Sequence, residues 1–192
     1  MILLLDDIIS KFEQKTLVNS MLGNPSFPWS YAPDVTATHS DNPQRRPAMM
    51  HWFCGFMKNQ VSGYEHLLTP IITNAAHEMN MKEVNVIQAR SFLQFPLDSN
   101  FTGEQVDTPH IDSYEPHWVF LYYLFDNDAE TIIYKNKMKD RNELPPLFDE
   151  LEESIRIKPK AGRLVIFDGM HWHTANQTKT GVRCIINIDV RK

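Results

Sequence analysis

Apolar residues along the chain follow two regimes. Up to about residue 83 they recur at three- and four-residue spacing or gather between prolines. From Val84 onward they come in short β-branched and aromatic runs. In the first regime Leu5, Ile8, Ile9, Phe12, Leu17 and Met21, between Leu3 and Leu22, predict one or two short helices with Ser10 as an internal cap. Leu67, Leu68, Ile71, Ile72 and Ala75 share one face and predict a helix over roughly 64–80, with Pro70 early enough to be tolerated or to start a new helix. Residues 23–48, rich in proline and small polar residues, predict an irregular loop anchored by Phe27, Trp29 and Tyr31.

In the second regime the runs "VNVIQARSFLQF", "HWVFLYYLF", "ETIIYK", "SIRIKP", "GRLVIFD" and "VRCIINIDV" predict strands. Turn signals at "LDSN", "DNDA", "KPKAG" and "TKTG" separate them, and one helix is expected around Leu147–Glu153. The pattern predicts a mainly β fold with N-terminal helices, an antiparallel β-sandwich or barrel, with no internal repeat. At 192 residues a single domain is expected, with 1–83 as helical and loop support and 84–192 as the β core.

Charge narrows the function classes. A net charge of -5 argues against general affinity for nucleic acid or an anionic membrane, which need a basic surface. Residues 155–192 are locally basic, with Arg156, Lys158, Lys160, Arg163, Lys179, Arg183, Arg191 and Lys192 against Asp168 and Asp189, which suits an anionic small molecule. Cys54 and Cys184, far apart in apolar contexts, read as buried thiols of a reducing compartment rather than a disulfide. The opening "MILLL" is too short for a signal peptide, and no apolar run approaches the ~20 residues of a membrane span, so a cytoplasmic location is expected.

The chemistry concentrates in "TPHIDSYEPHW", residues 108–118. His110 and Asp112 are two apart, so on an extended segment an imidazole and a carboxylate point the same way and can converge on one ion. A third ligand comes from "GRLVIFDGMHWHTANQTKTGVRCIINI", where the strand Leu164–Phe167 runs into a turn carrying His171 and His173. Two histidines and one carboxylate form a facial triad with open coordination positions, diagnostic of non-haem Fe(II) oxygenases, with zinc as the alternative. His117 is a further contender, read as lining the cleft mouth. Ten residues beyond His173, Arg183 enters the apolar strand "VRCIINI". A buried guanidinium needs a partner, either a ligand carboxylate gripped by its planar fork or an internal Asp or Glu. Alternation along "HWVFLYYLF" puts Val119, Leu121 and Tyr123 on one face and Phe120, Tyr122 and Leu124 on the other, so only one of the two tyrosines can point inward.

The set His110-x-Asp112, His173 and Arg183 resembles the Fe(II)- and 2-oxoglutarate-dependent dioxygenases, most closely their prolyl-4-hydroxylase-like branch. "FLYYLFDNDAETIIY" and "KPKAGRLVIFD" look like that branch's tyrosine strand with its acidic turn and its glycine-led strand before the distal histidine, so the resemblance spans roughly 85–190. The N-terminal "DDIISKFEQ" and "FPWSY" are similar to oxygenases of phage origin. The resemblance implies a double-stranded β-helix (jelly-roll, cupin-like) core. It also implies His110, Asp112 and His173 as iron ligands, Arg183 and Tyr123 as holders of the 2-oxoglutarate C5 carboxylate, and Thr131 as a further hydroxyl there. The family interval selects His173 over His171, while "DNDAET" departs from the usual glycine-bearing turn.

The activity so implied is hydroxylation coupled to decarboxylation of 2-oxoglutarate to succinate and CO2, with Fe(II), O2 and ascorbate as cofactors. The expected substrate is a peptidyl proline or a small metabolite or amino acid. Tyr114, Trp118, Trp172, Arg90 and Gln94 are the candidate substrate-side residues. The rival reading is a non-catalytic metal-binding β-helix module.

Overall fold

Pairing of backbone donors and acceptors explains most of the architecture. The computed structural model describes residues 1–35, 46–55, 61–97, 106–143 and 146–192. In chain order the strands are β1 (Ile2–Leu5), β2 (Ser30–Ala32), β3 (Ala48–Cys54), β4 (Val86–Gln94), β5 (His117–Tyr123), β6 (Thr131–Lys137), β7 (Glu153–Ile157), β8 (Leu164–Asp168), β9 (His171–Ala175) and β10 (Arg183–Arg191). The α-helices are α1 (Lys11–Val18) and α2 (Thr69–Glu78). Seven strands form one sheet in the order β1-β8-β5-β10-β4-β3-β2, and three form another in the order β7-β6-β9. Every strand pairing is antiparallel.

The two faces of the large sheet bury different residues, as strand alternation dictates. Phe120, Tyr122, Ile166, Ile186 and Ile188 pack toward a cluster that includes Leu17 of α1 and Ile71 and Ala75 of α2. Val119, Leu121, Tyr123, Val165, Phe167 and Ile185 face the other way and meet Ile133 and Ile157 of the small sheet. Each such side chain taken fully from water contributes roughly 1.5–3 kcal/mol. The predicted alternation along β5 is thus observed, with Tyr123 on the face between the sheets.

The N-terminal third departs from expectation. Residues 1–83, expected as helix and loop, also supply three strands. "ILLL" is β1 rather than the start of a helix, because its consecutive apolar residues lack helical spacing and its backbone pairs with β8, Ile2 against Phe167 through Leu5 against Leu164. Asp7 then turns the chain at φ 51°. Ser10 starts α1 as expected, closing a capping box in which the Glu13 N–H donates to Ser10 Oγ and the Ser10 N–H donates to Glu13 Oε2. Strand β3, "AMMHWFC", carries no β-branched residue and is a strand because β4 and β2 pair on either side of it.

The second helix region is a 3-10 turn at Glu65–Leu68 leading into α2, where Pro70 occupies the first turn and needs no intrahelical donor. The helix expected at 147–153 is only a 3-10 turn at Phe148–Glu150; Leu147 and Phe148 are exposed, so no apolar stripe holds a longer helix. "HWHTA", expected as a turn, is strand β9, its polar residues held in register by β6. The turn expected at 97–100 lies outside the described residues after Leu97. No helix among the described residues is long and apolar enough to cross a membrane.

Candidate metal centre

Three short pieces of backbone bring the ligand set together. The segment before Asp112 runs antiparallel to β9. Val106 pairs with Asn176, and His110 pairs with His173 by reciprocal backbone bonds of 2.9 and 3.1 Å. Directly opposed residues put their side chains on one face, and the two imidazole centroids lie 4.6 Å apart. Asp112 follows two residues later and swings its carboxylate between them. His173 Nε2 is 3.1 Å from Asp112 Oδ2, and His110 Nε2 is 3.9 Å from Asp112 Oδ1. One ligand atom from each residue lies within 4.8 Å of the others.

The hydrogen bonds set the tautomers. His110 Nδ1 is 3.1 Å from the Thr108 carbonyl and His173 Nδ1 is 3.0 Å from the His171 carbonyl. A carbonyl can only accept, so both Nδ1 atoms carry hydrogen; Nε2 of the neutral His110 ring is a lone pair, while Nε2 of His173 donates to the Asp112 carboxylate and offers its lone pair to a metal once that proton is lost. Asp112 has no exposed side-chain surface. Burial alone would raise its carboxyl, but Arg90 and His173 hold it well below the usual carboxylate range. Arg90 Nη2 donates to Oδ1, and Asn187 Nδ2 donates to Oδ2 at 3.0 Å. His110 is kept neutral, by burial first and by the neighbouring His173 second. His173 goes the other way, because Asp112 outweighs the effect of burial. Two imidazole nitrogens and a carboxylate, each oriented by a second hydrogen bond, are the donor set and the support that a divalent transition metal requires.

A cavity of about 230 Å³ between the sheets connects this triad to Arg183. Arg183 is buried. Its Nη1 donates to Gln94 Oε1 at 2.8 Å and its Nη2 to Thr131 Oγ1 at 3.4 Å, while Nε has no hydrogen-bond partner among the described residues. Among the described residues it forms no ion pair within 4.0 Å, since the buried Asp107 is taken by Arg46 at 3.0 Å. Asp107 acts on Arg183 through space but is not in direct contact with it, so the internal-acid reading open from sequence holds only in that weaker form. Tyr123 donates to Thr131 Oγ1 at 2.7 Å, so tyrosine, threonine and guanidinium form one chain of hydrogen bonds. Tyr122 lies in the cluster on the opposite face, its hydroxyl buried without a hydrogen-bond partner among the described residues.

Other sequence candidates are placed differently. His171 has its Nδ1 2.7 Å from the Tyr134 carbonyl and is not one of the triad's convergent ligands. His117 does not line a cleft mouth: it is completely buried, because its ring lies against Gly169. Of the five substrate-side candidates only Arg90 and Gln94 line the cavity. Tyr114 is exposed, Trp172 is buried with Ile132 and Tyr134, and Trp118 packs against the helix-side core beneath the Lys192 ammonium. Sequence reasoning missed Asn187, Asp107 and Phe92. Asn187 and Phe92 could have been found by carrying strand alternation from Arg183 along β10 and from Arg90 along β4.

The fold is similar to that of solved 2-oxoglutarate- and Fe(II)-dependent oxygenases. The viral collagen prolyl hydroxylase of Paramecium Bursaria Chlorella virus-1 superposes with a TM-score of 0.59 at 16% identity, covering 98% of this chain and 94% of that one. The non-heme alpha ketoglutarate dependent epimerase SnoN of nogalamycin biosynthesis gives 0.68 at 9% identity over 99% and 78%. The prolyl hydroxylase of Trichoplax adhaerens, solved with a hypoxia inducible factor peptide fragment, gives 0.63 at 14% identity over 99% and 83%. No family model and no curated protein matches the sequence.

Proposed function

We propose that this chain is a single-domain, double-stranded β-helix (jelly-roll) oxygenase dependent on Fe(II) and 2-oxoglutarate. In this reading it hydroxylates a peptidyl proline or a small metabolite and releases succinate and CO2. The observation that carries the reading is the convergence of His110, Asp112 and His173 in the same cavity as a buried guanidinium with no acid in direct contact among the described residues. Such a donor set leaves three coordination positions open, as a bidentate oxoacid and dioxygen require. When bound, the iron supplies the oxidising chemistry; the protein's task is to hold, orient and exclude water.

Each residue then has a defined part. His110 and His173 present Nε2 lone pairs, fixed by their Nδ1 donors, and Asp112 supplies the charge, kept ionised by Arg90. Arg183 grips the far carboxylate of 2-oxoglutarate with a planar fork, and Thr131 and Tyr123 orient that fork from behind. Gln94 fixes the remaining edge of the guanidinium. Arg90 and Phe92 stand on the substrate side of the triad. The acidic net charge supports a peptide or small-molecule substrate over nucleic acid, and the two free cysteines support a reducing, cytoplasmic setting.

The test is succinate and CO2 release from 2-oxoglutarate by the purified chain with Fe(II), ascorbate and O2, with and without a panel of proline-containing peptides and metabolites. Turnover is expected, and the panel member that stimulates it identifies the substrate class. Absence of both turnover and 2-oxoglutarate binding would refute the assignment in favour of a non-catalytic module.

A further inference from the structure

Arg90 supports the triad with only part of its guanidinium. It stands on β4 opposite Trp52 of β3 on one side and Asn187 of β10 on the other, so the three side chains share one face of the sheet. Its Nη2 donates to Asp112 Oδ1. Its Cζ lies 5.4 Å from the ring centroids of both Trp52 and Phe92, and two rings against one guanidinium fix its plane. Nη1 makes no hydrogen bond among the described residues and, unlike Nε, is not buried. The side chain lines the cavity and is 18% exposed, whereas that of Asp112 is fully covered. No second acid among the described residues lies within ion-pair distance of it. A rigid planar fork, Nη1 with the second hydrogen of Nη2, is therefore open toward the cavity.

That fork is not where the cosubstrate ends. In the β4–β10 pairing Gln94 lies opposite Arg183 and Arg90 opposite Asn187, so the two registers are four residues, about 13 Å, apart. A 2-oxoglutarate stretched from the triad to Arg183 leaves Arg90 uncovered. The charges agree. Arg90 and Arg183 line the cavity against Asp107 and Asp112, and Asp107 is already paired with Arg46. The nearby Asp189 is neutral, since burial raises its carboxyl to about 8. A divalent iron adds two positive charges and the doubly ionised cosubstrate cancels two. One positive charge remains in the filled site, and one carboxylate on the substrate would balance it.

We propose that Arg90 is the substrate anchor, that its open fork grips a carboxylate, and that the substrate is a small free carboxylic acid, such as an amino acid, rather than an internal peptidyl proline. Because Arg90 also holds a triad ligand, the carboxylate is gripped next to the reacting centre, and the C–H bond attacked lies a few bonds from it. The proposal rests on the oxygenase reading, so its test must separate the two.

The experiment measures binding of a panel of free amino acids and short aliphatic carboxylic acids, each beside its own carboxamide, to the full chain loaded with Mn(II) and 2-oxoglutarate. The readout is relaxation of the probe's protons by the bound Mn(II), which needs no turnover. At least one acid should bind about 10- to 150-fold more tightly than its amide, as loss of a charge-assisted pair predicts. In Arg90→Gln that preference should collapse. The acid-to-amide ratio is taken within each variant, so altered metal occupancy cancels from it. Acids and amides that bind alike, or no acid that binds at all, would overturn the anchor. So would a preference that survives Arg90→Gln, since the acid would then sit on the metal. If Arg90→Gln does not fold by circular dichroism, Arg90→Lys, which keeps a charge for Asp112 but loses the planar fork, takes its place. Failure of 2-oxoglutarate itself to bind the Mn(II)-loaded chain would instead refute the oxygenase reading.

Discussion

Asp112 and His173, 61 positions apart, meet with 3.1 Å between Oδ2 and Nε2. The contact exists because the segment carrying His110 lies along β9, so His110 and His173 are opposed and Asp112 reaches the same point two residues later. Buried carboxylates persist only when paired and hydrogen-bonded, and here Arg90, Asn187 and His173 all converge on this one.

Asp112→Ala removes the only charged member of the donor set. Succinate formation should be abolished and metal affinity should fall severely, as measured by isothermal titration with Mn(II). Near-normal turnover would refute the triad. Arg90 would be left beside the vacated position, so a fall in melting temperature is expected as well.

Arg183→Ala should act on the cosubstrate rather than the metal. Loss of a charge-assisted pair of roughly 1.5–3 kcal/mol predicts about a 10- to 150-fold rise in the 2-oxoglutarate requirement, with Mn(II) affinity nearly unchanged. An unaltered KM for 2-oxoglutarate would move the anchor elsewhere.

Tyr122 and Tyr123 are adjacent and both fully buried, yet they should respond oppositely. Tyr123→Phe breaks the bond to Thr131 behind Arg183, so KM for 2-oxoglutarate should rise about fivefold, equivalent to about 1 kcal/mol. Tyr122→Phe removes a hydroxyl that has no partner among the described residues and should leave KM unchanged and stability equal or higher. Steady-state kinetics and thermal melts of the pair check both outcomes.

Gly169→Ala drives a methyl into the His117 ring, whose three nearest atoms would lie 2.0, 2.3 and 2.4 Å away. The ring is buried, so overpacking of about 3 kcal/mol is expected, lowering Tm by roughly 6–12 °C in a scanning-calorimetry comparison. A melt within 2 °C of the parent would show that the ring has room to move.

Burial pushes the Cys184 thiol up to about 12, so the thiolate fraction is negligible at any pH below 9. Iodoacetamide at pH 8 should leave Cys184 unlabelled in the folded chain and label it in guanidinium, as read by peptide mass spectrometry. Fast labelling of the native protein would place Cys184 elsewhere than in the core.

The β half of the chain was legible because period-two alternation and β-branched runs are local signals, and the same alternation says that only one of Tyr122 and Tyr123 can point inward; that it is Tyr123 was seen in the packing. The cap at Ser10 was legible for the same reason, since a serine before an apolar-periodic run is a local signal. Strands β1, β3 and β9 were not legible as strands, because "ILLL", "AMMHWFC" and "HWHTA" carry no strand pattern of their own and are extended only where a neighbouring strand takes up their backbone bonds.

At the site, residue types and spacing put forward His110, Asp112, His117, His171, His173 and Arg183, since few side chains can bind a metal or grip a carboxylate, and the choice of His173 over His171 came from the family resemblance. Which groups pair, and which are left unpaired, was decided by the tertiary structure alone. Arg90 finds Asp112 because β4 and β10 lie side by side, and His117 faces Asp189 because β5 lies on the other side of β10. Those adjacencies come from sheet order, set by burial and backbone pairing summed over the whole chain rather than by any short stretch of sequence.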